Sequence, residues 1–149
     1  MKKKTKILLI VIAAVCVCGF ASWFSLFVDH NIPLFPSKKY EDFGEGFMDF
    51  TDYCRYTYKR DVKLNKYFNK VSGLYIHFLR TLIESFPYDF LDEPDNYDFP
   101  AEKVSVGDSY FVKDNNYTPN AGDGYIMDNT TFYFYDAETR TMYYFHNDN

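Results

Sequence analysis

Three histidines, three cysteines and 21 acidic side chains are the groups in this 149-residue chain with the types needed for acid–base, nucleophilic or metal chemistry. Catalysis requires a nucleophile or general base held by an orienting partner. His30 follows a long apolar run, His77 falls in a basic stripe, and His146 stands three residues before the last, where chains fray. Cys54 is in phase with Phe43, Phe47 and Phe50 at helical spacing, which predicts a thiol turned into the core. A Cys54–His77 pair would form only if their two segments packed together. The chain contains no Gly-x-Ser-x-Gly, no phosphate-cradling glycine loop and no Cys or His pair at metal-ligand spacing. The expectation is a protein that is not an enzyme, with no cofactor and no metal.

The carboxylates form two runs. Asp89, Asp92, Glu93, Asp95 and Asp98 crowd a Pro-containing stretch, and Asp114, Asp123 and Asp128 accompany Gly122 and Gly124. Calcium takes six to eight oxygens, but neither spacing follows a calcium loop, and solubilising loop carboxylates is the plainer reading. Opposite in sign, Lys59, Lys63, Lys66, Lys70, His77 and Arg80 advance by three, four or seven, as on one stripe of a helix. Residues 59–80 hold six basic and one acidic residue, net +5, whereas residues 81–149 hold three and fourteen, net −11. Such segregation suits a solvated helix face neutralised by the domain's own loops, or else anionic headgroups or another partner.

Aromatic residues are the third group. Thr131 to Tyr135 and Thr141 to His146 are dense in Phe and Tyr, which favour pleated surfaces, and Asp136 to Arg140 between them suits a hairpin loop. Alternation along a strand puts rings on both faces. One face can cover a core; the other would expose Tyr133 and Tyr135, or Phe132 and Phe134, beside Tyr143 or Tyr144. Exposed Tyr is a frequent interface anchor. Tyr133, Tyr135, Tyr143 and Tyr144, with Asp92 and Asp95 of the acidic loop, are the expected binding residues. A covered second face is the competing expectation. Asn116-Tyr117-Thr118 and Asn129-Thr130-Thr131 fit the N-glycosylation tripeptide, which recurs by chance.

Behind these groups stand the elements that must position them. Residues 7–28 are 22 consecutive positions without a charge, long enough as a helix to span ~33 Å. Lys2, Lys3, Lys4 and Lys6 precede them, so residues 1–6 are expected in the cytoplasm and everything beyond about residue 29 outside the cytoplasmic (inner) membrane. A cleaved signal peptide is the rival, because the run to Val17 with Gly19 and Ala21 imitates its layout. Cleavage there would leave Trp23, Phe24, Leu26, Phe27 and Val28 as an exposed apolar start, whereas an uncleaved helix uses Phe20, Trp23, Phe24 and Phe27 as an interfacial belt. Cys16 and Cys18 each follow Val, against lipoprotein processing.

Residues 29–39, with Pro33 and Pro36, read as a short stalk. Residues 40–149 read as one α+β domain: helices at about 46–58 and 61–86, then an antiparallel sheet within about 104–146. The second helix rests on an apolar rhythm from Leu64 to Phe86, with Asp61 as N-cap and Pro87 as the stop. Subtracting the four Lys of the flank leaves 12 basic and 21 acidic residues outside, net −9, which disfavours nucleic acid.

These features together predict a single-pass, membrane-tethered binding module with a protein partner. A concrete version is an immunity or inhibitor protein against a basic target. The alternatives are an accessory subunit held in a membrane complex through its apolar helix, and a cleaved secreted protein.

Overall fold

The computed structural model describes residues 10–19, 29–43, 50–85, 97–99, 101–114 and 130–148. The chain divides into two compact units, Met1–Ile32 and Pro33–Asn149. In the first, residues 10–19 form helix α1, every residue of which is exposed. Among the described residues no helix is long and apolar enough to cross a membrane. Residues 7–9 and 20–28 of the expected spanning segment lie outside the described residues.

The second unit is α+β. Among the described residues its strands are β1 (Lys38–Phe43), β2 (Phe50–Thr57), β3 (Asn69–Lys70), β4 (Ser109–Asp114), β5 (Thr130–Asp136) and β6 (Thr141–Asp148), with helix α2 (Ile76–Ser85) and a 3-10 turn at Ala101–Lys103. They make one six-stranded sheet in the order β1-β2-β6-β5-β4-β3. Every pairing is antiparallel.

The expected hairpin is present as β5–β6, with Phe132 opposite Phe145, Tyr133 opposite Tyr144, Phe134 opposite Tyr143 and Tyr135 opposite Met142. Its turn is built by Asp136, whose Oδ1 accepts the amides of Glu138 and Thr139 at 2.8 and 2.9 Å while Oδ2 accepts the Thr139 hydroxyl at 2.7 Å. Arg140 closes the turn in the left-handed region, φ 56°.

Opposed residues share a face, so the register sorts the sheet. One face carries Tyr53, Phe132, Phe134, Tyr143 and Phe145, and the main core forms there with Val71, Leu79, Ile83, Phe99, Ala101 and Val104. Leu79 and Ile83 are one turn apart on α2, and both are buried. Phe99 meets Phe134, Tyr143 and Phe145 edge-on, with ring centroids 4.4–5.3 Å apart. Asp98 beside it accepts the Tyr53 hydroxyl at 2.6 Å and pairs with Arg55. This member of the expected acidic loop is therefore a clamp on the core face.

Two expected helices are corrected. Of the helix expected at 46–58, positions 50–57 are instead strand β2, and residues 44–49 lie outside the described residues. β2 is an interior strand buried on both sides, with Tyr53 in the main core and Cys54 and Tyr56 buried on the opposite face. Because both faces of β2 are covered, apolar residues fall at adjacent positions such as Tyr53 and Cys54, and a period of four can then be picked out of a strand by coincidence.

The helix expected over 61–86 is confined to Ile76–Ser85. Asn65 turns the chain instead, its side-chain oxygen accepting the Tyr67 amide at 2.9 Å. Asn69 and Lys70 then pair with Tyr110 and Ser109. Asp61 is no N-cap; its carboxylate takes the Arg140 Nε at 2.8 Å. The expected stop at Pro87 lies outside the described residues, which carry α2 as far as Ser85. The basic stripe is consequently not one stripe: Lys59 lies in a bend, Lys63 in irregular chain, Lys66 in a turn and Lys70 in β3, and Arg80 on α2 spends one guanidinium nitrogen on the carbonyls of Glu102 and Val104 at 2.8 and 3.0 Å.

The stalk is shorter than expected, because Lys38 and Lys39 already belong to β1, the edge strand. The sheet expected within 104–146 is also corrected, since three of its strands, β1 to β3, come before residue 104; its C-terminal part starts at Ser109, after a turn in which Gly107 takes φ 107°, a conformation that favours glycine.

Candidate binding site

The structure reverses the expected exposure of the aromatic hairpin. All seven residues of β5 are buried. Tyr133, Tyr135 and Tyr143 are 2, 5 and 6% exposed, and Tyr144 is half-buried. Tyr143 belongs to the main core, where burial pushes its hydroxyl up to about 12. Tyr133 lies on the other face in a ladder of rings: Tyr67 stacks on Phe111, Phe111 lies nearly parallel to Tyr133 at 5.5 Å, and Tyr133 meets Tyr144 edge-on at 5.4 Å. Phe68 packs on both Phe111 and Tyr133. The second face is thus covered in part by residues 61–70, the segment that the sequence placed in a helix. Asp92 and Asp95 lie outside the described residues, as do Asp114's surroundings from 115 to 129.

Where residues 61–70 cross this face they leave an open cleft of about 340 Å3, lined by Asp61, Val62, Leu64, Asn65, Phe68, Lys70, Ser109, Tyr135 and Ala137. Its floor comes from β4 and β5, which present Ser109 and Tyr135 directly opposite one another. Both residues are buried, and neither the Ser109 hydroxyl nor the Tyr135 hydroxyl has a hydrogen-bond partner. Burial raises the Tyr135 hydroxyl above its ordinary range; the Val62 backbone opposes this without closing a hydrogen bond of normal geometry.

The rim is fixed. Asp61 is tied to Arg140 across the hairpin turn, and the Lys70 ammonium donates to the Gly107 carbonyl at 2.8 Å. Asp108, adjacent to Ser109, is almost fully buried and welds two turns together: one oxygen takes the Ala137 amide at 3.0 Å, the other the Ser105 amide and hydroxyl at 2.8 and 3.2 Å. Two buried hydroxyls, each able to donate and accept, thus lie just under the cleft floor, below an apolar wall from Val62, Leu64 and Phe68.

Cys54 is fully buried, and burial pushes its thiol up to about 11, away from the thiolate a nucleophile needs. It shares the face of Tyr144, whereas α2 with His77 packs on the other face, so the sheet separates the two residues. Among the described residues no group of three His, Cys, Asp or Glu side chains is placed to hold a metal.

Of the cleft residues, only Tyr135 was expected among the binding residues, and for an exposed face; Lys70 was expected in the basic stripe and Asp61 as an N-cap. Ser109, Asp61, Asn65 and Lys70 were missed as site residues. The Asn65-Lys66-Tyr67 turn signal, read against the helix, was the clue available. No family model, no curated protein and no solved structure matches this chain.

Proposed function

We propose that the protein is a non-enzymatic binding module tethered to the cytoplasmic membrane, with its N-terminus inside and its acidic α+β domain outside, and that a protein partner inserts a polar side chain into the cleft above Ser109 and Tyr135. The observation that carries the binding site is the pair of buried, unpartnered hydroxyls at the floor of an open cleft. A buried hydroxyl without a partner costs about 1–3 kcal/mol. A sequence can avoid that cost by placing Phe and Ala there, and this one keeps both oxygens beneath the cleft floor, which a partner's side chain would part to reach them.

The tether rests on the uncharged run 7–28 behind a lysine cluster. It is supported by α1, whose apolar side chains are uncovered along its length. Net charge −9 on the exported part favours a basic partner, of which an immunity or inhibitor target is one class.

Affinity capture from the native membrane tests the site, using the full chain, Tyr135→Phe and Ser109→Ala. A stoichiometric partner retained by the full chain and lost by both folded variants is the expected result. Undiminished capture by both variants overturns the cleft as the binding site. Loss of capture only on exchanging segment 7–28 for an unrelated apolar helix would instead identify an accessory subunit.

A further inference from the structure

Beside the start of β1 the chain makes a small apolar tip. Leu34 is 51% exposed and Phe35 92% exposed. Phe35 holds φ 63°, a left-handed conformation that a bulky residue rarely adopts. The tip is nonetheless rigidly mounted. The Pro33 carbonyl accepts the Tyr58 hydroxyl at 2.6 Å, and the Ser37 amide and hydroxyl both donate to the Thr57 carbonyl at 2.8 and 2.9 Å. Strained backbone that its neighbours hold in place is a mark of functional positions.

The same mounting sets cations around the tip. Lys38 and Lys39 open β1, and Lys59 and Arg60 follow β2, whose Thr57 pairs with Lys38. All four are exposed. Lys39 reaches Glu41 at 2.8 Å; Lys38, Lys59 and Arg60 form no ion pair with another described residue. A basic rim around two exposed apolar side chains is thus set in a domain whose overall charge is strongly negative.

We propose that this end of the sheet docks on the anionic lipid surface of the membrane, with Leu34 and Phe35 entering the headgroup–acyl boundary and Lys38, Lys59 and Arg60 against the headgroups. The inference rests on the tether proposed above: Phe35 stands seven residues beyond Val28, so it cannot stray more than ~25 Å from the bilayer. Apolar insertion and lysine attraction are the two contributions that make interfacial binding stable when combined. The domain is then held at one orientation, with the sheet end at the bilayer, rather than swinging on its stalk.

The test uses the full chain carrying Trp23→Phe, which removes the single native tryptophan, and Phe35→Trp as reporter. It is reconstituted into vesicles of phosphatidylglycerol with phosphatidylcholine, or of phosphatidylcholine alone, and washed at alkaline pH. Blue-shifted emission quenched by brominated acyl chains in the anionic vesicles is expected. Lys59→Gln and Arg60→Gln should each lower the docked-to-undocked ratio about fivefold. A chain that resists the alkaline wash while its indole stays water-exposed and unquenched overturns the docking and keeps the tether. A chain stripped by the wash overturns the tether; quenching on adding anionic vesicles back would then support docking alone, and its absence would overturn both.

Discussion

Removing one hydroxyl from each of two tyrosines in the same sheet should change stability in opposite directions. Tyr53 donates to the Asp98 carboxylate at 2.6 Å, whereas the Tyr135 hydroxyl is buried without a partner. A hydrogen bond to a charged acceptor contributes about 1.5–3 kcal/mol, and Asp98 keeps Arg55 after the loss, so Tyr53→Phe should cost about 2 kcal/mol. Tyr135→Phe removes a desolvated oxygen and leaves the ring in place; the gain should be about 1 kcal/mol, or roughly 4 °C in Tm for a domain of this size. The gap between the two variants is then about 3 kcal/mol, well outside the error of an unfolding experiment. Urea titration of the full chain in detergent, followed by far-UV circular dichroism, measures it as two shifts in midpoint at unchanged slope. If Tyr135→Phe lowers the midpoint as much as Tyr53→Phe, its hydroxyl is satisfied in the free protein, and the reasoning that makes the cleft a binding site is refuted.

Stability should also fall steeply in alkali. Burial holds Tyr143 up to about 12 and raises Tyr53, Tyr56 and Tyr58 further, so above the ordinary value of 10 the unfolded chain loses protons that the folded chain keeps. Each such group lowers the unfolding free energy by about 1.4 kcal/mol per pH unit from about pH 10 until its folded value is passed, and a stability curve flat to pH 12 would contradict their burial. With iodoacetamide at neutral pH, applied to the Cys16→Ser, Cys18→Ser chain so that the thiols of the proposed spanning run are absent, the buried Cys54 should react only as the domain opens. Fast alkylation of that chain would place Cys54 within reach of reagents and reopen thiol chemistry.

The β5–β6 hairpin was legible in the sequence because two aromatic runs flank a polar stretch, and Asp136 supplies side-chain oxygens for a tight turn. The first two strands were not. β1 carries Lys38, Lys39, Glu41 and Asp42, the charges that keep an edge strand from recruiting others, and such a segment resembles a linker when read alone. β2 is covered on both faces, which erases the alternation by which a strand announces itself. In residues 61–75 the apolar rhythm was real, but Leu64 and Phe68 face a cleft on one side of the sheet while Val71 joins the core on the other. A sequence gives the spacing of apolar residues without saying which surface each will meet. The cleft was illegible for the same reason: Ser109 and Tyr135 become neighbours only through the β4–β5 register.

The order of strands has a consequence for how the domain is made. β6, the last strand in the chain, sits between β2 and β5 and joins the β1–β2 pair to β5, β4 and β3. Until it arrives, the sheet exists as two unjoined halves, and the uncharged run Thr130 to Tyr135 has one side open to any other extended chain. With the N-terminus held inside as proposed, export of the domain beginning with its stalk would deliver β6 after the strands it joins. Assembly would then need a waiting period in which the aromatic strand is shielded, by a chaperone on the receiving side or by speed alone.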